Sequence, residues 1–327
     1  MSRCRSTLSE IDGEGFSAAA LKALSDRRAF PHRLPLLRAD IMEIRADTVR
    51  SMSISGVQEK ISLRLDRGDL QPVSEGGEYL LKPIPGQQLP RFQEDVPANE
   101  HLTMLLARQV FGIETAPNAC VLLKDGEPAY ITRRFDRTAT GEKVAQEDFC
   151  QLMERSPTTS GPNYKYDGSY EELAMTLRRF CSAYAIEAEK LFRRLLFNYA
   201  VANGDAHLKN FSLRQSASFG DYVLTPAYDL LCTKLHIPTE SRLALDLFAH
   251  DEEPESLATH GFPTGSDFLE LARRIGLRPD RAESILQDLC AHEDEIEALV
   301  SRSFLTPDAR QTYLEILDDR RRALLLR

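Results

Sequence analysis

No apolar run in this 327-residue sequence approaches the ~20 residues that a membrane-spanning helix needs. The opening stretch, MSRCRSTLSEIDGEG, lacks the apolar core of a signal peptide. Cysteine is sparse and scattered, at Cys4, Cys120, Cys150, Cys181, Cys232 and Cys290, with no Cys-x-x-Cys pair. That spacing suggests neither a zinc site nor a disulfide framework. Scattered thiols fit a reducing compartment, so a cytoplasmic location without membrane contact is expected. An excess of positive charge is missing too: 41 Lys+Arg stand against 50 Asp+Glu, a net charge of −9. Bulk charge is therefore not expected to hold DNA, although a local basic patch remains open. There is no internal repeat and no long low-complexity tract. What is present is ordinary for a globular chain, with 42% hydrophobic and 28% charged residues. The length suffices for two packed lobes.

Residues 1–50 carry little periodicity beyond GFSAAALKALSDRRAF, where Ala18, Leu21 and Leu24 recur at helical spacing. From Lys60 the texture changes. KISLRLDRGDLQPV alternates Ile61, Leu63 and Leu65 with polar residues and turns at Asp66-Arg67-Gly68-Asp69, which predicts a half-buried strand entering a hairpin. EYLLKPIP predicts a short strand ended by its prolines, and NACVLLKDGEPAYITRRFDR two strands joined at Asp125-Gly126. Between them, Leu102, Leu105, Leu106 and Val110 share a helical face that Gly112 can close. After about residue 137 strand signals mostly vanish. Ser169 and Glu172 stand in capping-box register, Leu173, Leu177, Phe180 and Tyr184 form a buried stripe, and Leu191, Leu195 and Tyr199 continue it. Residues 266–327 are helical in pattern. The reading is an α+β, bilobal chain: an N-terminal extension (1–50), a small β-rich lobe (51–137) and a larger, all-helical lobe (138–327).

Three features follow one another along this frame. SMSISGVQEK places Ser51, Ser53 and Ser55 on alternate positions ahead of Gly56 and leads directly into a strand. Lys82 ends an apolar strand. NGDAHLKN then holds Asp205 and, five residues on, Asn210, followed by Asp229 in PAYDLL. The Asp-to-Asn spacing is that of the protein-kinase catalytic loop, HRDxxxxN. There one carboxylate orients a hydroxyl and accepts its proton, and an amide oxygen nearby ligates Mg2+. A second carboxylate, here Asp229, would complete the metal's oxygen shell with Asn210. Lys82 would neutralise nucleotide phosphates. Each feature has a plainer reading on its own: Asp205 and Asn210 a polar turn, Asp229 a helix N-cap, Lys82 a snorkelling lysine, Gly56 a bulge, His207 a structural histidine. Their order across a β-to-α switch favours the chemical reading.

SISGVQEKISL, YLLKP, NEHLTMLLAR, RRFDR, NGDAHLKNFSL and PAYDLL together resemble the HipA-like serine/threonine kinases of bacterial toxin–antitoxin systems, from about Ser51 into the last third of the chain. The resemblance implies a protein-kinase-like fold, ATP and Mg2+ as cofactors, and a phosphate-covering loop of Ser55, Gly56, Val57, Gln58, Glu59 and Lys60. It also implies that Lys82 contacts ATP, that the backbone of Arg133, Arg134 and Phe135 meets adenine, and that Asp205 is catalytic. His207, Lys209 and Asn210 would face nucleotide and metal, with Tyr228 and Asp229 closing the site. Many members have Glu where this chain has Arg133, which leaves that side chain's role open. By analogy with kinases generally, Glu100 pairs with Lys82; a favourable charge early in a helix is the alternative. About fifty residues precede the loop. That length resembles the short HipT type, whose missing N-terminal subdomain is a separate small antitoxin beside a helix-turn-helix, DNA-binding partner. The resemblance implies such partners, DNA contact only through them, and an aminoacyl-tRNA synthetase as the phosphorylated protein. A phosphoserine adds about −1.5 to −2 charges, enough to disturb a loop over a triphosphate, so autophosphorylation is expected at Ser53 and Ser55. The rival readings are a catalytically silent kinase-fold subunit of a repressing complex and a small-molecule phosphotransferase.

Overall fold

A computed structural model describes residues 2–41, 59–137, 142–216 and 220–327. The alternating pattern after Lys60 becomes β1 (Ile61–Asp66), with Ile61, Leu63 and Leu65 buried. Arg67 and Gly68 both take positive φ, the requirement of a two-residue hairpin turn, and return the chain as β2 (Asp69–Pro72). After β3 (Tyr79–Pro83), the chain enters α1 (Val96–Gln109) and comes back as β4 (Asn118–Leu122) and β5 (Pro128–Arg133). The five strands form an antiparallel sheet in the order β2-β1-β3-β5-β4. Lys82 of β3 sits in register with Tyr130 of β5. Its ammonium lies 5.4 Å from that ring's centroid, a cation–π distance.

The stripe expected on α1 is only part of what is buried, because every residue from Val96 to Ala107 is enclosed. The sheet covers one side. On the other, Asn99 exchanges hydrogen bonds with both backbone groups of Cys232, and Thr103 pairs with Tyr313 at 2.9 Å. His101 meets the carbonyl of Ser6 and stacks on Phe304. The helix is thus held by both lobes. The residues before 42 close over the sheet: Leu24, Phe30, Leu34, Leu36 and Ile41 join its core, and Leu122 N–H donates to His32 O.

The second lobe largely follows its periodic sequence, but of the stripe expected at Leu173, Leu177, Phe180 and Tyr184 only the two leucines are fully buried, and Phe180 is exposed. α2 (Tyr170–Phe180) starts in the Ser169/Glu172 capping box, and α3 (Tyr184–Ala200) buries Leu191, Leu195 and Tyr199. α4 (Gly265–Arg274), α5 (Pro279–Leu289), α6 (Glu293–Arg302) and α7 (Pro307–Leu325) complete it. One expectation needs correction: this lobe is not all helical. β6 (Gln146–Asp148), β7 (Ser212–Gln215) and β8 (Tyr222–Leu224) form a three-stranded antiparallel sheet, order β8-β7-β6. Strands of three or four residues are too short to establish an alternating period, and two of them pair across more than sixty residues of chain. Among the described residues no helix is long and apolar enough to cross a membrane.

Candidate active site

The two lobes enclose a cleft of about 830 Å³ lined by Lys60, Lys82, Arg133, Arg134, Phe135, Asp205, His207, Lys209, Asn210, Tyr228 and Asp229. Residues spread over 170 positions of chain therefore face one space. At its centre the buried Lys82 ammonium donates to Glu100 Oε1 at 2.5 Å and to Asp229 Oδ1 at 2.6 Å. Lys60 Nζ reaches the other Asp229 oxygen at 3.1 Å. Burial pulls the Lys82 pKa down, but Asp229 and Glu100 outweigh it and the net shift is upward. Burial likewise pushes Asp229 up, yet Lys60 and Lys82 hold it well below the usual carboxylate range. Glu100 goes the other way: burial raises it more than Lys82 lowers it. The backbone of Asp229 is left-handed, φ +53°, a conformation that aspartate tolerates better than most non-glycine residues.

The opposite wall is the segment Asn203–Asn210. Asn203 supplies the internal brace. Its amide donates to Asn198 Oδ1 (2.7 Å) and to the Asp229 carbonyl (3.4 Å), and its oxygen accepts from Asp205 N–H (3.3 Å). Asn210 Nδ2 returns to the Asp205 carbonyl at 2.9 Å. Gly204 donates to Thr233 Oγ1, and a Cβ there would lie 2.6 Å from both Ser241 O and Glu240 Cδ. Only glycine lets the loop sit that close. Asp205 itself is 45% exposed at the side chain, and its Oδ1 accepts a 2.5 Å hydrogen bond from the Tyr166 hydroxyl. His207 Nε2 is 3.8 Å from the same carboxylate, and burial pulls this histidine down to about 4, so it is neutral near pH 7. Tyr228 donates its hydroxyl proton to Lys209 O, which leaves it to accept from Ser212 at 2.6 Å, and faces Phe135 with ring centroids 5.6 Å apart.

A family model described as the HipA-like C-terminal domain matches residues 52–296. This chain is a member of the HipA-like kinase family. A Haemophilus influenzae protein named "Putative kinase" is 28% identical over 307 residues, covering 89% of this chain and 87% of that protein. A similarly named Sinorhizobium fredii protein is 34% identical over 227 residues, 63% of this chain and 51% of its own length, so the chain spans about half of that relative. The fold matches Shewanella oneidensis HipA, solved with HipB and operator DNA, at a TM-score of 0.64 and 21% identity over 89% of this chain and 72% of that one. It matches the Helicobacter pylori proinflammatory kinase CtkA at a TM-score of 0.52 and 14% identity, over 81% of this chain and 90% of that one. These two likenesses concern the fold.

Measured against the family's loop, hinge and catalytic segments, the placements differ. Ser53, Ser55, Gly56, Val57 and Gln58 lie outside the described residues. Glu59 is buried 3.7 Å from Arg38 and does not line the cleft. Arg133 turns its guanidinium to Asp26 (2.5 Å) and the Ala23 carbonyl, which ties the end of β5 to the N-terminal segment. Arg134 pairs with Asp136 through two hydrogen bonds. Several cleft residues carry no recognisable signal in the sequence, Asn203 and Tyr166 among them. Asn203 stands at the start of the NGDAHLKN motif with nothing local to mark it as a brace, and Tyr166 lies 39 residues before Asp205 in a stretch with no marked spacing.

Proposed function

We propose that this kinase transfers the γ-phosphoryl group of ATP to a serine hydroxyl of a protein substrate, with Asp205 as the residue that orients the hydroxyl and takes its proton. The observation that carries this is the buried Lys82 ammonium, bonded to both Glu100 and Asp229, facing Asp205 and Asn210 across one cleft. A buried lysine between two carboxylates is a costly arrangement that nucleotide phosphates would use. Among the described residues no group of three or more His, Cys, Asp or Glu side chains converges on a metal position. The donor set still fits Mg2+, which is commonly held by one or two protein oxygens plus water and substrate phosphates. Asp229 would supply a carboxylate and Asn210 an amide oxygen, while Lys60 would give up the Asp229 oxygen it now holds. Mg2+ bound there would neutralise phosphate charge.

The finer assignments rest on family resemblance. The proposed setting is a cytoplasmic toxin–antitoxin system in which phosphorylation of an aminoacyl-tRNA synthetase arrests growth. Six buried, unbridged thiols support a reducing compartment. The net charge of −9 and the HipB–DNA complex of the Shewanella relative support DNA contact through a helix-turn-helix partner, beside a small antitoxin. The 51–137 and 138–327 divisions and autophosphorylation at Ser53 and Ser55 belong to the same proposal. The presence of Lys82, Asp205, Asn210 and Asp229 together speaks against a catalytically silent subunit.

The test is Asp205→Asn. Its half-exposed side chain predicts a normally folded variant that binds ATP and has lost phosphoryl transfer to protein by at least about a hundredfold. Radiolabel from γ-labelled ATP appearing on protein at the wild-type rate would refute the assignment.

A further inference from the structure

The position where an acceptor hydroxyl must stand is already taken by a hydroxyl of this chain. Tyr166 OH donates to Asp205 Oδ1 at 2.5 Å, and the ring meets His207 edge-on at 5.2 Å. Its backbone belongs to a single helical turn, Tyr164–Tyr166, anchored by the buried Tyr164 ring, while the Tyr166 residue is 38% exposed. Asp205 is braced through Asn203. The movable member of the pair is therefore the tyrosine. Burial first, then the Asp205 contact, raises the Tyr166 pKa, so the phenol remains protonated and donates. No step of the proposed reaction uses it.

We propose that Tyr166 is a positioning residue that occupies the acceptor site in place of substrate, capping Asp205 Oδ1 so that water cannot use that oxygen until a protein hydroxyl displaces the phenol. The inference rests on the kinase reading. Without this screen Asp205 could take a proton from water as the water oxygen bonds to the γ-phosphorus. The bond to the ADP oxygen breaks, releasing ADP and phosphate, and the proton passes to solvent. Aromatic contact with His207 survives in Tyr166→Phe, so only the hydroxyl is removed.

The experiment measures phosphate release from Mg-ATP by the full chain with no protein acceptor. For Tyr166→Phe the rate is expected to rise about tenfold with an unchanged KM for ATP, the effect expected of losing one hydrogen bond to a charged group. In Tyr166→Phe/Asp205→Asn the gain should vanish, a response that a purely structural role would not produce. A rate equal to or below wild type, in protein that still binds ATP, overturns the screening role and leaves the kinase reading intact. A gain that persists in the double variant also overturns it, since the route would not pass through Asp205. Failure of wild type and variants alike to bind Mg-ATP overturns both readings. A lower melting temperature with no gain in hydrolysis marks Tyr166 as structural and refutes the proposal.

Discussion

Lys82→Met strands a carboxylate. Glu100 has only 2% of its side chain exposed, and the ammonium 2.5 Å away is what offsets its burial. Asp229 is better placed to survive the loss, because Lys60 holds its second oxygen and 27% of its side chain reaches solvent. Removing one partner of a buried pair costs about 3–5 kcal/mol, and methionine returns part of that through its apolar bulk, so a loss of about 3 kcal/mol is expected at neutral pH. In a chain of this size that lowers the melting temperature by roughly 4 °C. The deficit should depend on pH with a definite sign. Glu100 already binds its proton more tightly folded than unfolded, and removing Lys82 strengthens that bias. The folded variant then carries more protons, so its stability falls as pH rises and recovers as pH drops through the raised Glu100 pKa. Melting followed by circular dichroism at about pH 8 and about pH 5 should show the wild-type-to-variant gap narrowing in acid. The double variant Lys82→Met/Glu100→Met, which removes both charges, should regain most of the loss. If it melts no higher than the single variant, the stranded carboxylate is not the cause and the reasoning fails.

Other outcomes follow from the same geometry. Gly204→Ala should reduce phosphoryl transfer by about a hundredfold with a smaller change in melting. Its Cβ would displace the Asp205 loop from Ser241 O and Glu240, and catalytic groups tolerate little displacement; wild-type turnover would show that the contact yields without moving Asp205. Acid should destabilise the fold through two histidines that burial pulls down, His101 to about 3 and His207 to about 4. Both bind protons more weakly folded than unfolded, so their contribution is complete above pH ~6.5 and declines as pH falls toward those values, by about 2 kcal/mol each at about pH 5. His101→Phe should flatten part of that acid limb in a melting-versus-pH series; an unchanged slope would show that His101 is not a source of it.

Much of this protein could be read from local pattern. The alternation Ile61, Leu63, Leu65 with Arg67-Gly68 specifies a hairpin because side chains on a strand point alternately to its two faces and because the turn needs positive φ. The capping box at Ser169/Glu172 marks a helix start by the same local logic. The order of Lys82, Asp205, Asn210 and Asp229 was legible as a set of chemically suited residues. Sequence could not tell whether Glu100 was a partner of Lys82 or a charge near a helix start, since both readings use the same residue at the same position. The short strands β6, β7 and β8 carry no period of their own and exist through pairing with one another. By itself the sequence determined the strands of the first sheet, the longer helices and which residue types are available for phosphoryl transfer, because those depend on neighbours within a few positions. Tertiary structure alone decided that Glu100 and Asp229 share one buried ammonium, that Gly204 is pressed against Glu240 and Ser241, and that the Tyr166 hydroxyl bonds Asp205 Oδ1. Each of these is a contact between distant parts of the chain, and its energy depends on burial that no local window contains.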